Sequence, residues 1–208
     1  MRTVSLVISS CVLTGFLAAQ PSLRITSPAD GTTVHPGESL TVTVEASPPE
    51  AAFAAILVGA PDPLGFGEED PKARPYRFTF QIPEHAPPKK YSLTAMGSLA
   101  APPRLIYSNS IDVVIERSAS PVSITVYPVV ADFTMDQKRY LQVTGLYSDK
   151  TAADLTQSTR TEYASSDLGV ATVDSQGIVS PVAPGLAKIM VTYGDLKHDV
   201  PVRVRDSR

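Results

Sequence analysis

The 208-residue chain contains no tryptophan and a single cysteine, Cys11, near its N-terminus. Beyond Cys11 neither a disulfide framework nor a cysteine-ligated zinc site is possible. Whatever folds there is held by packed apolar cores alone. Histidine is scarce as well: His35, His85 and His198 stand far apart and offer zinc no cluster of ligands. A basic excess is also missing. Residues 21–117 carry 8 Lys and Arg against 11 Asp and Glu, and residues 118–208 carry 9 against 10. Neither half therefore has the positive face that nucleic acid or anionic lipid requires. Finally, no amphipathic helical period lasts longer than two turns, which leaves strands as the carriers of the fold.

What the N-terminus does contain is MRTVSLVISSCVLTGFLAAQ, with one positive charge at Arg2, an apolar run to Leu17 and small residues at Ala18 and Ala19. This is the layout of a secretory signal peptide over residues 1–20, with cleavage expected near Ala19. The segment ISSC, Ile8 to Cys11, resembles a bacterial lipobox, whose cysteine would become a lipidated N-terminus. The apolar residues that continue past Cys11 favour ordinary cleavage. No later segment approaches the roughly 20 apolar residues needed to cross a bilayer, so no transmembrane segment is expected in the mature chain. The expected destination is the extracellular space, the periplasm or the cell surface.

From there on, short runs of β-branched and aromatic residues alternate with polar ones between clusters of Pro, Gly, Asp and Ser. Leu40, Val42 and Val44 share one face of a predicted strand, as do Tyr76, Phe78, Phe80 and Ile82, and Ile111, Val113 and Ile115. FAAILVG at 53–59 lies between proline-rich borders and reads as a buried strand. The prolines concentrate in SPPE, APDPLG, EEDPKARP, PEHAPPKK and AAPPR, which are loops because proline cannot donate to a central ladder. SPADG and HPGE read as turns on either side of a second strand. A boundary falls at RSASP, 117–121, giving domains of residues 21–117 and 118–208, each near the ~100 residues of a seven-stranded sandwich. In the second half seven strands are predicted: SITVYP, RYLQVTGLYSD, TEYASSD, GVATVD, GIVSPV, AKIMVTYG and HDVPVRVR. Val143, Val173, Ile189 and Val202 are expected in its core.

The order of four segments in that half carries a resemblance. SITVYP (123–128), LQVTGLYSDKTAADLT (141–156), YASSDLGVATVDSQGIVSPVAPGLAKIMVTYG (163–194) and VPVRV (200–204) together resemble a bacterial Ig-like domain of group 2, the module repeated in intimin- and invasin-like adhesins. Two positions depart from the family's habit. Lys150 stands where the YSDGT turn commonly has glycine, and Tyr163 stands where tryptophan is frequent. The first half is similar, through SPADGTTVHPGESLTVTVEA, to bacterial Ig-like or fibronectin-type modules. The resemblance implies an all-β chain of two tandem immunoglobulin-like β-sandwiches, and it implies no catalytic residue.

Serine-rich and aspartate-rich stretches such as SSD at 165–167 and TVDSQG at 172–177 are accordingly expected to be turns, in which short polar side chains bond neighbouring amides and Gly177 takes φ > 0. No G-x-S-x-G is present and no histidine is placed as a triad base. The segment from Gly59 to Pro75 is predicted to be the longest loop and the candidate recognition site of the first domain. Its Asp62, Glu68, Glu69 and Asp70 form a candidate calcium loop, since hard cations gather several oxygens. Its Leu64 and Phe66 are candidate binding anchors. Lys89 and Lys90 beside Tyr91 make a small basic-aromatic spot that reads as loop solvation.

The expected function is non-enzymatic binding or adhesion at the cell surface or in the medium, with a protein or carbohydrate ligand of the cell envelope. The alternative is a structural spacer or assembly subunit of the envelope, and an undetected hydrolase ranks last. The first two readings differ in what they require. Binding needs an exposed apolar or aromatic patch on the fold, whereas a spacer needs interfaces only at its ends.

Overall fold

The computed structural model describes residues 20–69 and 74–206, apart from the side chains of Phe66, Glu68, Glu69 and Ala100. The expected leader with Cys11 falls outside the described residues, as does Asp70. Among the described residues there are eighteen strands and no helix.

In the first domain, β1 (Ser22–Ser27), β3 (Ser39–Ser47) and β6 (Tyr76–Gln81) form one antiparallel sheet. The facing sheet has the order β2-β8-β7-β4-β5, with β2 (Thr32–Val34), β8 (Pro103–Ile115), β7 (Lys89–Ala100), β4 (Phe53–Gly59) and β5 (Phe66–Glu69). The period-two alternation decides which side chains meet between the sheets. Val42 lies opposite Phe78 and Val44 opposite Tyr76 in the β3–β6 register, and all four are buried. Ile111, Val113 and Ile115 fill the other layer. The FAAILVG strand runs over the residues expected of it, with Phe53, Ile56 and Val58 buried. At the entry to β7 the buried Tyr91 sends its hydroxyl back to the carbonyl of Pro87 at 3.0 Å, a tyrosine corner that pins the preceding loop to the sandwich. Lys89 lies over the Tyr91 ring, 5.0 Å from its centroid, and Lys90 pairs with Asp112 at 3.2 Å. The basic-aromatic spot is therefore a strand start with its aromatic ring facing inward.

In the second domain, β10 (Ala131–Thr134), β18 (Leu196–Arg205), β17 (Gly185–Tyr193) and β14 (Thr161–Ser165) form one layer. The other layer is built from β9 (Ser123–Tyr127), β12 (Gln142–Leu146) and β13 (Ala152–Asp154), continued by β11 (Arg139–Tyr140), β16 (Ile178–Pro181) and β15 (Ala171–Val173). Val143, Ile189 and Val202 lie in the core between them. Val173 only packs against it, half-buried, because its short strand sits at the sheet edge.

Ten strands stand where seven were predicted. The ADFT strand at β10 and the AAD strand at β13 were not anticipated, because three or four residues are too few to display a period. Both sandwiches also add a short strand parallel to their last one, β2 on β8 and β10 on β18. The predicted RYLQVTGLYSD strand is broken at Leu141, whose N–H leaves the ladder to bond the Gly177 carbonyl at 2.8 Å.

The suspected turns are turns. Asp174 accepts from the N–H groups of Gln176 and Ile178, both at 2.9 Å, and Gly177 closes the hairpin at φ +76°. Asp167 accepts from Gly169 N–H at 2.8 Å, and Ser166 from Lys188 N–H at 2.9 Å. The family's missing glycine has a structural counterpart: Lys150 is the one non-glycine residue with positive φ among those described, at 69°. Asp149 supports that turn by accepting from the Thr151 hydroxyl at 2.7 Å and its N–H at 2.9 Å, and these bonds hold the Asp149 carboxyl below its usual range. A side chain in the left-handed region costs ~1–2 kcal/mol, part of which glycine returns as chain entropy on unfolding. Lys150→Gly is therefore expected to stabilise the domain by about 0.5–1 kcal/mol, read as a shift of the urea midpoint at constant m-value. A lower midpoint would show that the lysine is held by something other than backbone geometry.

Candidate binding face

Polar and aromatic residues at alternate positions of β9 and β12 point away from the second core. In the β9–β12 register Tyr127 lies opposite Gln142, Thr125 opposite Thr144 and Ser123 opposite Leu146. Tyr140 is the last residue of β11, two residues before Gln142 and on the far side of the break at Leu141. Tyr127 is 71% exposed and Tyr140 69%. Both line one shallow cavity of about 440 Å³ with Val130, Asp132, Lys138 and Arg139. Val129 and Val130, just beyond β9, are exposed as well.

The rim is fixed by its own bonds. Arg139 donates to the Asp132 carbonyl at 3.2 Å and lies over the Phe133 ring at 5.9 Å. The Asp132 carboxylate receives Arg205 at 2.8 Å. Two exposed aromatic rings thus sit beside held charges. Scattered single apolar residues are normal on a protein surface, whereas two exposed tyrosines over one cavity make this face a candidate contact site. Sequence reading missed it because Tyr127 and Tyr140 each look like ordinary strand residues. Only the fold brings them to one cavity.

The predicted site of the first domain has a different shape from the one expected. The segment from Gly59 to Pro75 is not strandless. Phe66 to Glu69 form β5, which pairs with Ile56 to Gly59 of β4 as the edge of the five-stranded sheet, and Ala60 N–H bonds the Gly65 carbonyl at 2.9 Å. Leu64 is turned into the first core, 9% exposed, so burial withdraws it as a surface anchor. Asp62 is exposed. The side chains of Phe66, Glu68 and Glu69, and all of Asp70, lie outside the described residues. No group of three or more His, Cys, Asp or Glu that could hold a metal ion occurs among the described residues.

The three histidines lie on separate elements. His35 follows β2, His85 sits in the exposed turn after β6, and His198 is half-buried in β18. Among the described residues no helix is long and apolar enough to cross a membrane.

Residues 21–95 match the bacterial Ig domain family, and residues 122–204 match the bacterial Ig-like domain of group 2. Both matches are to immunoglobulin-like domains, and no enzyme domain is among them. Similar solved structures include the fibronectin(III)-like modules of Clostridium thermocellum CbhA, at 19% identity over 45% of this chain and 93% of theirs, with a TM-score of 0.37. Domains 4 and 5 of the S-layer protein SbsC align at 17% identity over 72% of this chain and 75% of theirs, with a TM-score of 0.36. The endo-beta-1,4-mannanase from Thermotoga petrophila aligns at 16% identity over 50% of this chain and 22% of its own, with a TM-score of 0.40. No curated protein matches the chain. With one family on each of two successive sandwiches, this chain belongs to the bacterial immunoglobulin-like domains, as a bacterial Ig domain followed by an Ig-like domain of group 2.

Proposed function

We propose that this protein is a non-enzymatic binding module, exported to the cell surface or beyond, that engages a protein or carbohydrate of the envelope through the outer face of its second domain. The observation that carries the reading is the pair Tyr127 and Tyr140, exposed together over one cavity. A spacer with contacts only at its ends has no use for such an exposed aromatic pair over one cavity. Tyrosine suits recognition because it offers a large contact area with few rotatable bonds and a polar tip.

The test is retention of envelope proteins and of purified envelope polysaccharide on the immobilised chain, with and without Tyr127→Ala and Tyr140→Ala. Because the chain lacks tryptophan, tyrosine fluorescence reports the same binding in solution. Central aromatic anchors are worth ~2 kcal/mol or more each, so the double variant should bind at least about thirtyfold more weakly while its urea midpoint stays put. Full retention by the folded double variant would move the site off this face and leave the spacer reading in possession.

A further inference from the structure

Between Ile115 at the end of β8 and Ser123 at the start of β9 lies the segment ERSASPV, 116–122. Its composition reads as a flexible linker, and tandem domains move relative to one another by default. In the structure it is tied down along its length. Glu116 N–H donates to the Val34 carbonyl at 3.1 Å, and the Glu116 carbonyl lies 2.6 Å from His35 Nδ1. Arg117 reaches both domains, donating to the Glu84 carbonyl at 3.4 Å on one side and to the Thr151 hydroxyl at 3.1 Å on the other. Its guanidinium covers the Tyr147 ring at 4.8 Å. Arg160 covers Tyr193 at 4.6 Å and donates to the Ser120 hydroxyl at 3.3 Å. Val122 N–H then joins the Leu146 carbonyl at 2.7 Å.

The Glu116 side chain lies at the centre of this arrangement. It directly follows the first domain's last strand, is 8% exposed, and its Oε1 accepts from the hydroxyls of Ser158 at 3.0 Å and Thr159 at 2.8 Å in the second domain. A buried carboxylate is costly unless it is bonded, and these two donors sit on a turn that is itself fixed by the Ser158–Leu155 and Thr161–Ser158 backbone bonds. Such directional bonds satisfy the charge in one relative orientation of the domains and no other.

A second observation points to the same place. Five buried side-chain atoms among the described residues lack a well-aligned partner, and four of them are here: Glu116 Oε2, Arg117 Nε, Tyr147 OH and Tyr193 OH. The Tyr193 hydroxyl faces Ser158 and Tyr147. Burial raises both phenols, Tyr147 to about 12, so they are neutral donors at ordinary pH. One charged acceptor among three N–H and O–H donors is the lining that a buried water takes, since such waters make about three hydrogen bonds.

We propose that Glu116 is the key of a hydrated polar clamp, shared with Arg117, Tyr147, Ser158, Thr159 and Tyr193, that fixes the two domains as one rigid body. The chain then presents its binding face at a set angle to the first domain, whatever that face recognises.

Backbone 15N relaxation of the full chain tests this, because it reports the rotational correlation time of each domain separately. The wild type should show one time shared by both domains, and a long-lived water cross-peak to protons around Tyr147 and Tyr193. Glu116→Ala should lose both the shared time and the cross-peak, whereas Glu116→Gln, which keeps the accepting oxygen, should retain the shared time. Thr159→Ala, at an exposed position, serves if Glu116→Ala does not fold, and it should loosen the coupling. Two distinct correlation times in the wild type would overturn the proposal, as would one shared time persisting in both alanine variants. A rigid wild type without the water signal would remove the hydrated part.

Discussion

Ile189→Ala will lower the unfolding free energy of the second domain by about 2–5 kcal/mol, the cost of deleting buried methylenes and leaving a cavity. Ile189 is fully buried, paired with Val200 on β18 and Ser165 on β14, at the middle of a layer that cannot close around the gap without moving both ladders. Ser166→Ala is the comparison. It lies one residue beyond Ser165 and gives up only the bond to Lys188 N–H, while the main-chain bond from Ser166 to the Lys188 carbonyl remains. Its expected cost is about 1 kcal/mol or less. Urea unfolding of the full chain followed by circular dichroism measures both. The reverse order would mean that the polar strand end, and not the apolar register, holds this layer.

The second large effect is expected at a glycine. Gly177 has φ +76°, and a Cβ there would stand 3.0 Å from the Leu141 carbonyl and 3.1 Å from the Tyr163 hydroxyl. Both residues are already held in place, Leu141 through its N–H to the Gly177 carbonyl and Tyr163 through its hydroxyl to the Thr156 carbonyl at 2.8 Å. Gly177→Ala therefore combines a left-handed alanine with overpacking against backbone, and about 2–4 kcal/mol is expected. Gly31→Ala separates the two contributions. Gly31 has φ +79° with nothing within 4 Å of a built Cβ, so only the backbone cost of about 1–2 kcal/mol applies. Equal losses at the two sites would show that the crowding at Gly177 relaxes freely.

Much of the fold can be read from the residues because half-buried strands write a period of two into the sequence. The runs through Val42, Phe78, Val113 and Val202 each place an apolar residue at every second position, and their buried faces are the ones this period selects. Turn chemistry was equally legible, since Asp174 followed by Gly177 has a local reason to bend that needs no distant contact. Elements of three or four residues were not legible. Neither β10 nor β13 contains enough positions to show a pattern, and β5 was hidden inside a proline-bordered segment where only its pairing with β4 makes it a strand.

By itself, then, the sequence determined what depends on neighbours along the chain: the all-β class, the two-domain plan, the strand faces and the turns. The tertiary structure alone decided what depends on residues far apart. Tyr127 and Tyr140, on two different strands, come to line one cavity only in the folded chain. Leu64, apolar in a polar loop, is drawn inward because the first core has room for it. Glu116 and Ser158, 42 positions apart, meet only where the two sandwiches are joined. Periodicity is a local signal, whereas an exposed aromatic face and a domain junction are made by long-range contacts, and the partners in such contacts carry no mark of each other until the chain has folded.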